Sequence, residues 1–227
     1  MARNDRSYHH GDLPSALIAE ARRMLEKAGP ESVSFRAIAR GAGVSQTAPY
    51  NHFTSKDHLL ATLATIGFRD LEAAQATATK GAVTVNEQID GLGHAYVRFA
   101  CRHPQLYRLM FGVGMSNWRA RPEVAEAKKA SFRPLQETLA ASLMTAGGNG
   151  AATMETAAVA AWALVHGLSM LLIDGALDVP HNVDDPEMLA ARVVTWLVAA
   201  LEAGAKPLKA SSTAKRGAPL RKPRKRK

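Results

Sequence analysis

Residues 34–56 read SFRAIARGAGVSQTAPYNHFTSK and contain the start and stop signals of two short helices. Ser34 and Ser45 can each cap a helix N-terminus, because a serine hydroxyl accepts hydrogen bonds from backbone N–H groups that have no partner there. The run Gly-Ala-Gly at 41–43 breaks the first helix, and the second spans about residues 46–53. Two short helices around a glycine-containing turn predict a helix-turn-helix.

In a helix-turn-helix, the N-terminal residues of the second helix face base edges in the major groove of DNA. The side chains here suit that role: the amide of Gln46 can bond to adenine at two points, and the methyl group of Ala48 suits contact with thymine. The predicted base contacts are Gln46, Thr47, Ala48, Tyr50, Asn51 and His52. A hydroxyl at a helix N-terminus and two cations supply the predicted phosphate contacts. These are Ser34, Arg36 and Lys56.

The spacing alone also fits a domain that binds no nucleic acid, because any three-helix domain has short capped helices and turns. Pro49 removes a backbone hydrogen bond from the second helix, but the N–H groups of a first turn have no helical partner in any case. Some apolar residues in and near the stretch are predicted to belong to the core rather than to contact DNA: Leu17, Ile38, Val44 and Phe53.

The net charge of +9 is concentrated at one end of the chain. Residues 206–227 contain ten Lys and Arg and no acidic residue, which leaves 19 basic and 20 acidic residues in 1–205. This tail cannot bury enough apolar surface to offset its ordering entropy, so we predict that it is disordered. Its cations would add salt-sensitive affinity for DNA phosphates, or would serve only to keep the protein in solution.

The overall composition favours a helical protein. Alanine accounts for 42 of the 227 residues and aromatic residues for 6%, which favours helices over sheets. Cys101 is the single cysteine, which excludes a disulfide framework or a thiolate zinc site within one chain. The first residues lack the apolar segment of a secretory signal, so we expect a cytoplasmic protein.

Long helices with short loops are predicted in the second half of the chain. Residues 156–173 contain no charged residue and are predicted to form a helix buried on all sides. A membrane span is the alternative, but it needs about 20 apolar residues, and His166, Gly167 and Ser169 interrupt this run. The last helix, which opens at 185–186, has more apolar surface than one core needs. We expect these two helices to form a four-helix interface with a second copy, although both could pack within the monomer.

Several separated motifs occur in a fixed order along the chain: YHHGDL at 8–13, SFRAIA at 34–39, GVS at 43–45, PYNHF at 49–53 and KDHLL at 56–60. Together they resemble the N-terminal domain of TetR-family transcriptional regulators, in particular the branch that opens with Tyr-His-His-Gly-Asp-Leu. The resemblance covers about residues 8–62. Two further segments, RHPQLYRLMFG at 102–112 and WALVHG at 162–167, are similar to the C-terminal domain usual in that branch, which is named for its Trp…His-Gly signature.

The resemblance implies an all-α regulator of about nine helices, in which the first three bind DNA and the rest form a ligand-sensing and dimerising bundle. The implied organisation is a flexible arm at 1–11, a helix-turn-helix DNA-binding domain at 12–60, a helical regulatory and dimerisation domain at 61–205, and the basic tail at 206–227. The implied function is a ligand-responsive repressor that binds a palindromic operator as a homodimer and is released by a small-molecule effector. The base and phosphate contacts predicted above match the positions that the family uses.

An effector pocket among the long helices would be lined by aromatic and methionine side chains. The candidate lining residues are Phe99, Met110, Phe111, Trp162, His166 and Met170. Each would equally fill an ordinary core, and His166 would equally be a structural histidine bonded to a neighbouring helix. The sequence identifies neither the effector nor the operator.

Two other classes of protein compete with this prediction. An enzyme is disfavoured because the sequence has no glycine-rich phosphate loop, nucleophile elbow or Cys/His pair. The histidine spacings at 9–10 and 52–58 do not match metal-ligand patterns, so neither a metal nor a cofactor is predicted. A non-specific architectural DNA-binding protein is the nearer alternative, and the basic tail is the best reason to consider it.

Overall fold

The computed structural model describes residues 13–112, 121–145, 151–177 and 186–203. These ranges form eight α-helices, two 3₁₀ helices and no β-strand, which confirms the predicted all-α class. The α-helices are α1 (Leu13–Ala28), α2 (Phe35–Ala42), α3 (Lys56–Ala78), α4 (Val85–Arg102), α5 (Pro104–Phe111), α6 (Pro122–Thr145), α7 (Ala151–Ile173) and α8 (Pro186–Ala203). The 3₁₀ helices are Pro30–Ser32 and Ala48–Asn51. The predicted arm at 1–11 and tail at 206–227 lie outside the described residues.

Helices α2 and α3 both begin at serine side-chain caps, and that of α2 is the one predicted at Ser34. Ser34 Oγ accepts a hydrogen bond from the backbone N–H of Ala37 at 3.3 Å, and Ser55 Oγ accepts one from that of His58 at 3.1 Å. α2 ends at Gly43, whose φ of 70° lies in the left-handed region that favours glycine. The chain therefore turns sharply between α2 and the 3₁₀ helix that follows.

The second helix of the helix-turn-helix is shorter and tighter than the sequence predicts. In place of an α-helix over about residues 46–53 capped by Ser45, the structure has a turn followed by the 3₁₀ helix Ala48–Asn51. The predicted cap at Ser45 is wrong, because the shorter helix begins after Thr47 and has no side-chain cap. Three backbone N–H groups of this segment bond to the carbonyl three residues earlier, each at 3.1 Å. Pro49 has no N–H to donate, so an α-helical ladder is interrupted at its start and the shorter pattern is favoured.

The main hydrophobic core runs from α1 to α8. Its fully buried members include Leu17, Phe68, Tyr107 and Val194, which lie on α1, α3, α5 and α8. The boundary predicted between the two domains, at residues 60 and 61, lies inside α3, which is one continuous helix. Residues of this core lie on both sides of that boundary. α4 packs against α3, α6, α7 and α8 and so lies at the centre of the longer helices. The helix-turn-helix and the longer helices therefore share one helix and one core.

Helix α7 is buried on one face only, which corrects the prediction of a helix buried on all sides. Val165 and Ser169 lie in the interior, whereas Val159 and Leu171 are exposed. The cause is the packing: α4, α6 and α8 contact α7 within the described chain, and they leave part of its circumference open to solvent. Among the described helices, only the stretch Met154–Ile173 is long and apolar enough to cross a membrane, and a core helix of a soluble protein meets the same criteria.

Candidate DNA-binding surface and cavity

Most of the predicted base-contacting side chains form an exposed polar surface. Gln46, Thr47, Asn51 and His52 are all exposed, and Tyr50 is 66% exposed. Amide, hydroxyl, phenol and imidazole groups therefore meet solvent together, and these are groups that can donate to or accept from base edges. We refer to these five side chains as the polar surface.

Ala48 is the exception, because its side chain faces inward. It is only 9% exposed, and the neighbouring Pro49 is also buried. The methyl group and the proline ring thus form the inner side of the 3₁₀ helix. The predicted contact between this methyl group and thymine is not available in this conformation.

Aromatic packing attaches the polar surface to α2. The ring centroids of Tyr50 and Phe35 lie 4.8 Å apart with an interplanar angle of 89°, an edge-to-face arrangement that aromatic pairs favour. Phe53 is buried and its ring lies 6.3 Å from that of Phe35. One side of the Tyr50 ring therefore packs against Phe35 of α2, and the other side remains in solvent.

The predicted phosphate contacts lie at the starts of α2 and α3. Ser34 and Arg36 are exposed, and the Ser34 oxygen that caps α2 keeps its O–H group for donation to a phosphate. Lys56 Nζ lies 3.5 Å from Glu31 Oε2. The carboxylate of Glu31 is 95% exposed, so this ion pair is weak and Lys56 can exchange it for a phosphate.

A cavity of about 530 Å³ lies among the longer helices, with walls from α3 to α8. This volume is within the range of pockets that bind drug-sized molecules. Most of the wall is apolar or aromatic, including Leu92, Phe132, Leu135 and Val165. The sequence predicts such a pocket in this part of the chain, and the structure defines its wall.

The six predicted pocket residues have different positions. Phe111 and Trp162 line the cavity, and His166 is hydrogen-bonded to Tyr96, which also lines it. The other three pack in the core and do not belong to the cavity wall: Phe99, Met110 and Met170. Helical periodicity shows that these side chains point inward, but it does not distinguish the wall of a cavity from a filled core.

Four side chains form a hydrogen-bonded aromatic–histidine cluster, made of Tyr96, Tyr107, Trp162 and His166. The indole Nε1 of Trp162 donates to the Tyr96 hydroxyl at 3.1 Å, and the Tyr107 hydroxyl donates to it at 2.9 Å. His166 Nδ1 lies 3.0 Å from the Tyr96 hydroxyl and 2.6 Å from that of Tyr107. His166 is therefore bonded to α4 and α5, which supports the structural interpretation of this residue.

Burial keeps this cluster uncharged. It raises the pKa of Tyr96 to about 12, against the effect of the hydrogen bonds from Tyr107 and Trp162, and it also raises the pKa of Tyr107. Burial lowers the pKa of His166, and the positive charge of Lys128 lowers it as well. At neutral pH the imidazole is therefore unprotonated, so Nδ1 can accept a hydrogen bond from a tyrosine hydroxyl.

The cavity also has polar lining residues that the sequence reasoning missed: Gln75, Lys128, Lys129 and Ser131. Gln75 follows Leu71 by four residues on the buried face of α3, so a polar residue inside an apolar stripe is the signal that could have identified it. Lys128 and Lys129 have no comparable signal, because two exposed lysines are typical of any solvated helix face.

Polar contacts connect α1 to the start of α5. The backbone N–H of Gln105 donates to Glu26 Oε2 at 3.3 Å, and His103 Nδ1 lies 3.5 Å from Glu26 Oε1. The last residue of α5 is Phe111, which lines the cavity. One short helix thus contacts the first helix of the N-terminal part at one end and the cavity at the other.

Helices α7 and α8 present apolar side chains to solvent. Val159 and Leu171 are exposed on α7, and on α8 Met188 and Trp196 are 62% and 66% exposed. Large exposed apolar side chains on adjacent helices are typical of a protein–protein interface. We refer to these four exposed side chains as the outer face.

The chain matches family models in both of its parts. Residues 17–63 match the model of the bacterial regulatory proteins of the tetR family, and residues 89–201 match that of the tetracyclin repressor-like C-terminal domain. An HTH-type transcriptional regulator of Mycobacterium tuberculosis strain H37Rv is 26% identical over 113 residues, which are 49% of this chain and 48% of the relative. The chain thus spans about half the length of the curated relatives that it matches.

Solved structures share the fold over most of its length. A protein of unknown function from Rhodococcus sp. RHA1 is 34% identical with a TM-score of 0.73, over 88% of this chain and 98% of that one. The transcriptional regulator FadR from Bacillus subtilis, solved in complex with stearoyl-CoA, is 16% identical with a TM-score of 0.66, over 82% and 97% of the two chains. The second likeness is one of fold alone.

Proposed function

Because the chain belongs to the tetR family of bacterial regulatory proteins, we propose that it is a ligand-responsive transcriptional repressor acting in the cytoplasm. In this proposal it binds a palindromic operator as a homodimer and leaves the DNA when a small molecule occupies the cavity. The motifs at 8–13 and 162–167 support placement in the branch with the Trp…His-Gly signature, although residues 8–12 lie outside the described ranges.

The polar surface is the observation that carries the proposal. A DNA-reading element needs hydrogen-bonding side chains that are exposed in the free protein and supported by a rigid core. Tyr50 meets both conditions through its exposure and its edge-to-face contact with Phe35. Ser34, Arg36 and Lys56, at the starts of the neighbouring helices, provide the phosphate contacts that fix the protein on the duplex.

The outer face supports a dimer built from α7 and α8. One recognition element covers only a few base pairs, and a symmetric dimer reads two half-sites instead. A second copy packed on this face would bury Trp196 and Met188 from both protomers in a four-helix interface. The palindromic operator follows from the symmetry of that dimer.

Helix α5 supports a route from the cavity to the DNA. A ligand that displaces Phe111 moves the end of α5, whose beginning is bonded to Glu26 at the end of α1. A small rotation of α1 changes the separation of the two polar surfaces in the dimer. The ligand favours the rotated state by its differential affinity for the two arrangements, and DNA affinity falls.

The direct test is selection of bound fragments from random DNA, followed by affinity measurements on the selected operator. We expect Gln46→Ala to weaken operator binding roughly 5- to 150-fold, the effect of losing about 1–3 kcal/mol at a bidentate base contact. Gln136→Ala, an exposed glutamine of α6, is the matched control and should leave the affinity unchanged. Equal affinities for both variants and the parent protein, or a selection without a common sequence, would contradict the proposal.

The dimer has its own test by sedimentation equilibrium. We expect Trp196→Lys to shift the protein from dimer to monomer, because a lysine ammonium at the centre of an apolar interface loses its hydration. Val83→Lys is the control, since Val83 is an exposed apolar residue outside the outer face. A dimer that survives Trp196→Lys with its dissociation constant unchanged would overturn the assignment of this face.

The cationic tail favours a second candidate function, that of a non-specific architectural DNA-binding protein. Competition by unrelated DNA separates the two, because a regulator prefers its operator by at least ~10³-fold. Deletion of residues 206–227 should weaken binding to all DNA and flatten its salt dependence, while operator preference survives. Displacement of the operator by unrelated DNA at equal concentration would favour the architectural protein.

A further inference from the structure

The charged residues of the cavity wall are of one sign in the part of the chain that the structure describes. There the wall includes Lys128 and Lys129 of α6 and no Asp or Glu. Both lysines are exposed, and neither has an ion-pair partner within 4.0 Å among the residues that the structure describes. Two adjacent ammonium groups beside an apolar cavity create a positive potential at its wall and attract a negative group.

A second polar feature of the wall is the side chain of Gln75. It is 4% exposed, and its Oε1 atom has no hydrogen-bond partner among the described residues. An unpaired buried acceptor is energetically unfavourable, and native proteins rarely leave one without a compensating ligand or water. Because Gln75 lines the cavity, a rotation of its side chain would bring Oε1 within reach of a bound molecule, whose N–H or O–H group can supply the missing donor.

The charge of Lys128 also acts on the interior of the molecule. It lowers the pKa of His166, which lies in the aromatic–histidine cluster next to the cavity residues Tyr96 and Trp162. Its ammonium group therefore contributes positive potential at groups beside the apolar wall. A ligand anion near Lys128 can gain from this field while its apolar part contacts the aromatic side chains.

We infer that the cavity binds an amphipathic anion whose apolar body lies against the aromatic wall, whose negative group pairs with Lys128 and Lys129, and whose N–H or O–H donor bonds to Gln75 Oε1. The inference rests on the proposed function, in which this cavity is the effector site. It defines the ligand by three features together: apolar body, negative charge and hydrogen-bond donor.

The charge requirement is tested by calorimetric titration of the full chain with three probes of equal chain length: dodecanoate, dodecan-1-ol and dodecylammonium. We expect dodecanoate to bind roughly 3- to 10-fold more tightly than either of the others, the range that one or two partly exposed ion pairs provide. Equal or tighter binding of the alcohol or the ammonium probe would overturn the inference.

Lysine variants assign that preference to the two side chains. Lys128→Gln combined with Lys129→Gln should remove the advantage of dodecanoate over dodecan-1-ol and leave the affinity for the alcohol unchanged. Lys80→Gln, at an exposed lysine in the turn after α3 that does not line the cavity, should have no effect on either probe. A preference for dodecanoate that survives the double substitution would exclude these lysines as the anion site.

The donor requirement is tested with N-dodecanoylglycine and N-dodecanoylsarcosine, which differ only in whether the amide nitrogen carries hydrogen or methyl. We expect the glycine conjugate to bind roughly 3- to 10-fold more tightly, as one net hydrogen bond implies. Gln75→Met should abolish this difference, and it should raise the melting temperature of the free protein because it removes an unpaired buried acceptor. Equal binding of the two conjugates by the parent protein would overturn the role of Gln75.

These titrations are made without DNA, so they are independent of the proposed regulation. Fluorescence anisotropy with the selected operator then measures release by the probe that binds best. Binding without release would leave the ligand class standing and refute effector control. Operator binding without any probe binding would refute the ligand class and leave the regulator standing.

Discussion

The polar surface and the cavity differ in how the chain builds them. The polar surface comes from five side chains within residues 46–52, placed outward by a glycine turn and a proline that are their neighbours in sequence. The cavity wall combines residues as distant as Gln75 and Val194, which lie on helices far apart in the chain. The difference teaches that a local sequence pattern can encode a surface, whereas a cavity exists only where separate helices meet.

The largest expected effect tests whether the two regions are one folding unit. Phe68 is fully buried, and its ring lies 5.3 Å from that of the cavity residue Phe111. Phe68→Ala should lower the free energy of unfolding by about 3–5 kcal/mol, because it leaves a void in the core that joins α1 to α8. Guanidinium unfolding followed by circular dichroism and by tryptophan fluorescence should give one coincident transition, and two separate transitions would show that the regions are independent.

The same chemical change in the two regions should have different consequences. Tyr107→Phe removes a hydroxyl from the buried aromatic–histidine cluster and should cost about 1–3 kcal/mol of stability, since Tyr96 and His166 lose a buried partner. Tyr50→Phe, on the polar surface, should change stability by less than about 0.5 kcal/mol. Thermal unfolding measures both, and a similar loss for the two variants would remove the contrast between buried and exposed tyrosine.

A smaller effect is expected at the turn that orients the polar surface. Gly43 has a φ of 70°, so Gly43→Ala should cost roughly 1–2 kcal/mol through the strain of a left-handed backbone with a Cβ atom. Gly43→Asn should cost less, because asparagine visits this region more readily. Chemical denaturation compares the two variants, and an alanine variant as stable as the parent would mean that the turn is not under this constraint.

The smallest effect concerns pH and belongs to the cavity region. Burial lowers the pKa of His166 below its ordinary value of 6.5, so the folded protein binds this proton less readily than the unfolded chain. The contribution to stability is complete above the unfolded-state pKa and is lost as the pH falls through the folded-state value. The melting temperature of the parent protein should therefore fall more between pH 7.5 and 5 than that of His166→Gln. His52→Gln, on the polar surface, is the control, and a fall equal in parent and His166→Gln would refute this role.

The sequence by itself determined the helical class, the cap at Ser34, and the exposure of most of the polar surface. These features depend on residues three or four positions apart, so periodicity, glycine and serine contain the necessary information. Even here Pro49 changed an expected α-helix into a 3₁₀ helix and Ala48 became buried, because small backbone adjustments decide which side of a short helix faces the core.

Only the tertiary structure decided which inward-facing residues line the cavity and which fill the core. Phe111 and Phe99 have the same chemistry and both point inward, yet only Phe111 lies on the wall. The open side of α7 likewise depends on where α4, α6 and α8 pack, which a run without charged residues does not specify. Helix packing decides whether a side chain is buried and which polar partner it meets. That packing depends on contacts between residues far apart in the chain.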